Sequence, residues 1–267
     1  MLVLAVKALL APTFVVGASL AARRFGPWIG GVIGALPVVA GPILLAYALV
    51  HGRSFAAQAA TGTLLGLLSL TAFVVVYGRL ARRFPWFVCM LSGWVAFALV
   101  TVVLDGVAVA PGVALALVCV GFVVGLLLLP GRQGPAGDGA LATAPAWDLP
   151  VRAGCALGLV LALTTAAGWL GPQLSGLLAP FPVITTVLAT FTHSQHGSDE
   201  AVRLLRGMLS GFVAFALFCF ALTVSLGGAT VAAAFALATV AALAAQALML
   251  SRARRRAAVR GEAQLSR

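Results

Sequence analysis

GPWIGGVIGALPVVAGPILLAYALVHG, residues 26–52, and GPQLSGLLAPFPVITTVLATFTHSQHG, residues 171–197, carry one pattern twice. Laid over each other 145 residues apart, without a gap, Gly26-Pro27 falls on Gly171-Pro172 and Gly31 on Gly176. Pro37-Val38 falls on Pro182-Val183, and His51-Gly52 on His196-Gly197. The frame continues downstream, where Ala56, Gly62, Leu64, Gly66 and Phe73 meet Ala201, Gly207, Leu209, Gly211 and Phe218. Single matches among Gly, Ala and Leu are common in apolar sequence. Gly-Pro, Pro-Val and His-Gly pairs held in one frame are the self-similarity that a duplication leaves.

The surroundings of both stretches are lipid-like. Of 267 residues, 62% are hydrophobic and 9% charged, and the mean hydropathy is +1.12. A soluble domain carries about 45–50% apolar and about 25% charged residues. In lipid only helices and closed barrels satisfy the backbone. Barrel strands alternate apolar and polar residues, whereas Val113–Leu129 and Val231–Ala245 are nearly continuous apolar runs. At roughly 20 residues per span, the fold class is all-α, a polytopic membrane protein. About nine transmembrane helices are expected, at 2–21, 28–50, 55–78, 85–104, 108–129, 151–169, 173–193, 200–225 and 229–250. Ser198 is expected to cap the eighth, with Asp199 and Glu200 in its first turn paired to Arg203 and Arg206. Residues 1–105 form a first four-helix repeat and 106–150 a linker helix with a flexible Gly/Ala/Pro-rich connector. Residues 151–250 form the second repeat and 251–267 a basic tail.

The net charge of +11 sits at the ends of apolar runs, which marks topology rather than nucleic-acid binding. Arg23, Arg24, Arg79, Arg82, Arg83, Arg132, Arg203 and Arg206 follow the odd-numbered spans. The tail adds Arg252, Arg254, Arg255, Arg256 and Arg260, while the loops after even spans hold only Arg53. Positive charge stays cytoplasmic, so the N-terminus is expected outside and the C-terminus inside a cell inner (plasma) membrane. Five spans per repeat period reverse the second copy, and the flipped loop charges agree. The expected architecture is 4+1+4 with inverted topology, a plan common among secondary transporters.

Pro37 and Pro42 fall in the second span, Pro180 and Pro182 in the seventh. A mid-helix proline removes one hydrogen bond and displaces the carbonyl four residues earlier, here Ile33 and Leu178. Interrupted helices at matching places in two inverted copies point to a binding site. Its candidate residues are Pro37, Pro42, Pro182, Thr185, Thr186 and Thr190, and freed carbonyls would favour a ligand with hydrogen-bond donors. His51, His193 and His196 are candidates for a proton or gating role. No third ligand at suitable spacing supports a metal, and no cofactor fingerprint occurs. The acidic residues Asp105, Asp138, Asp148, Asp199, Glu200 and Glu262 fall at span ends, in the connector or in the tail, so no mid-membrane carboxylate is available for cation exchange. No nucleophile–base set lies in the spans, so no enzyme activity is expected. Cys89, Cys119, Cys155 and Cys219 read as packing residues.

The stretch Gly30-Gly31-Val32-Ile33-Gly34-Ala35-Leu36-Pro37, an apolar run, then His51-Gly52 and a further helix resembles the GlpM-type family of small four-helix inner-membrane proteins. The second copy resembles it more closely. Gly176-Leu177-Leu178-Ala179-Pro180-Phe181-Pro182, then Gly197-Ser198-Asp199-Glu200-Ala201-Val202-Arg203, looks like that family's Phe-Pro and Gly-x-Glu-Ala-x-Arg signature with one residue inserted. Arg53–Gln58 of the first copy lacks the Glu and second Arg. The resemblance implies a membrane architecture more than an activity. The expected function is a secondary carrier or flippase-like transporter of a neutral, anionic or lipid-like substrate, with a non-transporting envelope scaffold or regulator as the alternative. Membrane lipids are the expected partners, with a small-molecule or lipid substrate; oligomeric state is open.

Overall fold

Proline and glycine punctuate otherwise continuous apolar sequence, and helices start and stop where they fall. A computed structural model describes residues 2–38, 40–131, 147–167 and 177–265, with side chains over 12–38, 40–131, 147–158 and 177–252. Among these residues there are ten longer helices and no strand. They are α1 (Leu2–Phe25), α2 (Pro27–Gly34), α3 (Ala40–Val50), α4 (Arg53–Leu80), α5 (Trp86–Leu104), α6 (Pro111–Leu128), α7 (Asp148–Ala167), α8 (Val183–His196), α9 (Ser198–Ser225) and α10 (Val231–Leu265). Pro27 and Pro111 stand in the first turn of α2 and α6, where a missing N–H costs nothing. Gly52 and Gly197 precede α4 and α9 with φ of 88° and 87°, a conformation that side-chain-bearing residues rarely adopt. Gly197 therefore caps α9, and Ser198, expected to cap it, is its first helical residue with no side-chain cap bond.

Among the described residues five helices are long and apolar enough to cross a membrane: α4, α5, α6, α9 and Val231–Arg252 of α10. The expected second span is not one helix but two, α2 and α3. The connector ends earlier than expected, because Asp148 already opens α7; most of it lies outside the described residues. The basic tail is helical as far as Leu265, since its Ala, Arg and Leu are strong helix formers.

The inner pair is α4 and α9, each 28 residues long. They run antiparallel: Thr61 near the start of α4 meets Thr223 near the end of α9 at 3.5 Å, and Arg82 beyond α4 meets Asp199 at the start of α9 at 3.0 Å. Their spanning windows are 72% and 61% buried, against 22% for α5, α6 and α10, which form an outer layer. Glycines bring backbones together at the centre, as membrane helices require when no hydrophobic drive separates protein from lipid. A Cβ on Gly31 of α2 would stand 2.1 Å from the Leu204 carbonyl oxygen of α9, and one on Gly207 would stand 2.1 Å from that of Trp28. Gly211 presses on Ala35 and Val32, and Gly66 of α4 on Leu177 and Pro180.

The open carbonyls at the end of α6 are satisfied by arginines. Arg79 donates to Leu128 O, Arg82 to Gly131 O, and Arg206 to Leu129 O and Pro130 O. Cations at a helix C-terminus also oppose its dipole. Arg206 thus pairs with carbonyls rather than with the acids of its own first turn, while Arg203 does pair with Glu200 at 2.8 Å.

Candidate functional site

Pro37 and Pro182 interrupt their helices in the same way. Leu36 N–H donates to Ile33 O at 3.3 Å, Val38 N–H to Leu36 O at 2.8 Å and Gly41 N–H to Pro37 O at 2.9 Å. Shifted by 145 residues, Phe181 N–H donates to Leu178 O at 2.9 Å, Val183 N–H to Phe181 O at 2.7 Å and Thr186 N–H to Pro182 O at 2.7 Å. Each proline sits at the middle of a three-residue turn, Pro182 at φ −73°, ψ 50°, close to the inverse γ geometry. A new helix then begins. The carbonyls of Ile33 and Leu178, expected to be open, are taken by Leu36 and Phe181. What the second break exposes is donors: among the described residues, Ile184 and Thr185 N–H at the start of α8 have no backbone partner, as at any uncapped helix N-terminus.

Between the two breaks lies a cavity of about 40 Å³. Residues 34–37 and Ala40 wall one side and residues 179–185 the other; Leu70 of α4 and Phe212 and Phe215 of α9 complete it. Among the described residues its lining carries no charged side chain and one hydroxyl, that of Thr185, a residue 3% exposed whose hydroxyl has no hydrogen-bond partner there. The N-termini of α3 and α8 both open on this space, through Ala40 and Val183.

Pro37, Pro182 and Thr185 therefore come together. Pro42 lies in the first turn of α3, where proline is tolerated, and does not line the cavity. Thr186 is buried one residue beyond Thr185 and accepts the Trp94 indole N–H at 3.1 Å. Thr190 donates to Thr186 O at 2.8 Å, the back-bonding typical of a helix-interior threonine. The three histidines lie elsewhere. His51 is exposed and stacks on Phe55 at 4.6 Å. His193 stands 3.3 Å from the Tyr77 hydroxyl, and His196 is the last residue of α8. Among the described residues no three His, Cys, Asp or Glu side chains gather to hold a metal.

Two features had no local signal in the sequence. Trp94 and Phe97 of α5 press on the cavity residue Phe181, with ring centroids 5.9 and 5.3 Å apart. At the same end as Asp199, the buried Asp148 carboxylate is held by Arg23 at 2.5 Å, Arg152 at 2.8 Å and Gln195 at 2.5 Å. Arg152 also lies over the Phe191 ring at 4.9 Å. Burial alone would raise the Asp148 pKa, but the hydrogen bonds from Gln195, Arg152 and Arg23 outweigh it and hold the carboxyl below its ordinary value.

No family model, no curated protein and no solved structure matches the chain. Among the described residues, fold and site together define an all-helical protein with five apolar helices of membrane-spanning length and a small cavity at two interrupted helices.

Proposed function

We propose that this chain is a secondary carrier or flippase-like transporter built as an inverted duplication of 4+1+4 helices, nine spans in all, around α6. One observation carries the reading: two helix breaks 145 residues apart, with the same three hydrogen bonds, wall one cavity. The element bounds agree, since α4 (53–80) and α9 (198–225) share that frame to the residue, as do the starts of α5 and α10. The antiparallel α4–α9 pair is the arrangement in which an axis in the membrane plane relates two inverted copies. Arginines at the ends of α1, α4 and α6 then face the cytoplasm of an inner membrane and His51 faces out. The resemblance to the GlpM-type family supplies the four-helix unit that was duplicated.

In this reading substrate sits at Pro37, Pro182 and Thr185, held in register by Thr186 and Trp94. The two copies rock about it to give alternating access, and no catalysis is involved. Pro42 and Thr190 support the two half-helices, and the histidines lie at the ends, outside the binding space. The small cavity volume and the close glycine packing beside it favour a second reading, a non-transporting membrane scaffold.

Cysteine accessibility separates the two. With Cys89, Cys119, Cys155 and Cys219 replaced, Leu36→Cys and Phe181→Cys are expected to react with an impermeant thiol reagent from either side of the membrane in turn. Silence of both positions from both sides would leave only the scaffold.

A further inference from the structure

We infer that the cavity between the two breaks binds a small anionic group, of the size of a halide ion or a carboxylate. The inference rests on the carrier reading only for the claim that the cavity is a binding space, and it names the class of ligand.

The carbonyls at both breaks are occupied by N–H donors of their own turns. What remains open at the second break is donors: the N–H groups of Ile184 and Thr185, and beside them the hydroxyl of Thr185, a residue 3% exposed, without a partner among the described residues. Donors that face a cavity take an acceptor there, a ligand or water. Charge decides which acceptor. The N-terminus of a helix carries roughly half a positive charge, and two helices of 11 and 14 residues open on one space, so together they present roughly one. Thr185 apart, the walls are apolar, of Gly, Ala, Val, Leu, Ile, Pro and Phe, and in such a weakly polarisable medium the field is far less screened than in water. Among the described residues no carboxylate lines the space to hold a cation. A cation would meet two positive helix ends, a neutral solute would leave them uncompensated, and a single negative charge matches them.

The two breaks do not contribute equally. Ala40 occupies in α3 the position Thr185 holds in α8. The anion is therefore held from the α8 side by a hydroxyl and backbone N–H groups, and from the α3 side by the helix end alone.

Trp94 is the reporter, because it bonds Thr186 and stacks near Phe181. Full-length protein retaining Trp94 alone, with Trp28, Trp86, Trp147 and Trp169 changed to Phe, is placed in maltoside micelles. Its fluorescence is titrated with chloride, acetate, inorganic phosphate and the neutral acetamide, at an ionic strength held by a bulky sulfonate. A parallel arm adds phosphatidylglycerol instead, so that a lipid headgroup and a free anion are told apart. A saturable response to a free anion or to the anionic lipid, with acetamide inert, is expected. Thr185→Val should raise the half-saturation concentration about tenfold, the loss of one hydrogen bond to a charged group, and Thr185→Ser should restore it. No saturable response in any arm, an acetamide response equal to that of acetate, or a Thr185→Val protein that binds as before would overturn the inference. Binding without alternating access at Leu36→Cys and Phe181→Cys would leave the anion site standing and remove the carrier.

Discussion

The breaks at Pro37 and Pro182 have one backbone and two chemistries. Their hydrogen bonds correspond one for one across 145 residues. Their side chains do not: Gly34, Ala35, Leu36 and Ala40 on one side face Ala179, Pro180, Phe181 and Thr185 on the other. Proline's missing N–H and fixed φ dictate the turn, so the backbone needs only the proline and its frame. The lining is free to diverge once the turn is set. The second break alone has acquired a hydroxyl facing the cavity and an aromatic wall, and its neighbour Thr186 is tied to Trp94 of the other segment.

The comparison breaks first at the glycines. Gly66 and Gly211 are equivalent, and each presses on the break of the opposite segment, where an added Cβ would come within 2.6 Å of Leu177 O and 2.7 Å of Ala35 Cβ. Gly66→Val and Gly211→Val are each expected to destabilise the fold by more than about 3 kcal/mol, at or beyond the upper range for overpacking. Thermal unfolding in micelles measures it, and a difference of most of that value between the two would undo the equivalence of the breaks.

The next effect tests where the two proposed copies differ at their ends. Asp148 and Arg152 stand where the first copy has Val3 and Lys7. Asp148→Asn leaves the buried Arg152 with its carboxylate partner removed, at a cost of about 3 kcal/mol. Because the folded-state pKa of Asp148 is lowered, its contribution is present above the ordinary carboxylate range and is lost as pH falls through the folded-state value. Unfolding midpoints should therefore drop as the pH is taken below about 4, and the Asp148→Asn protein should show a shallower drop. Equal slopes would contradict the assignment.

A smaller effect sharpens the comparison at the site. Thr186→Val removes the acceptor of the Trp94 N–H and should cost about 1–2 kcal/mol, with a change in Trp94 emission. Gly41, its equivalent, has no such partner, and Gly41→Ala should leave that emission as it is. If transport is found, Pro182→Ala and Thr186→Val should impair it while membrane insertion is kept. The smallest stability change, less than about 1 kcal/mol, is expected for Ala40→Thr, which gives the first break the hydroxyl of the second. Its effect should appear in anion half-saturation, which should fall. A rise would mean that α3 does not face the anion.

The parts that were legible in the sequence are those governed by local rules. Pro37 and Pro182 announced interruptions because proline acts within its own turn, and apolar runs announced α4, α5, α6, α9 and α10 because lipid leaves the backbone few choices. Three things depended on contacts far along the chain and were not legible. Arg23 and Asp148 are 125 residues apart, and Asp148 stands in a stretch whose Gly, Ala and Pro read as connector. Trp94 reaches Thr186 from a helix whose pattern is uniformly apolar. The hydrogen bonds that close the Ile33 and Leu178 carbonyls come from Leu36 and Phe181, in a tight turn just before each proline that the missing N–H alone does not specify; they turn the proposed ligand from a donor into an acceptor.

The central claim is that two copies of one unit cross the membrane in opposite directions. Ser54 and Ser194 are exposed residues near the start of α4 and the end of α8, at opposite ends of the antiparallel core. In intact cells, on a background without native cysteines, an impermeant thiol reagent should label Ser54→Cys at once and Ser194→Cys only after the membrane is opened. Labelling of both positions from the same side would contradict the inverted arrangement, and with it the shared cavity and the carrier.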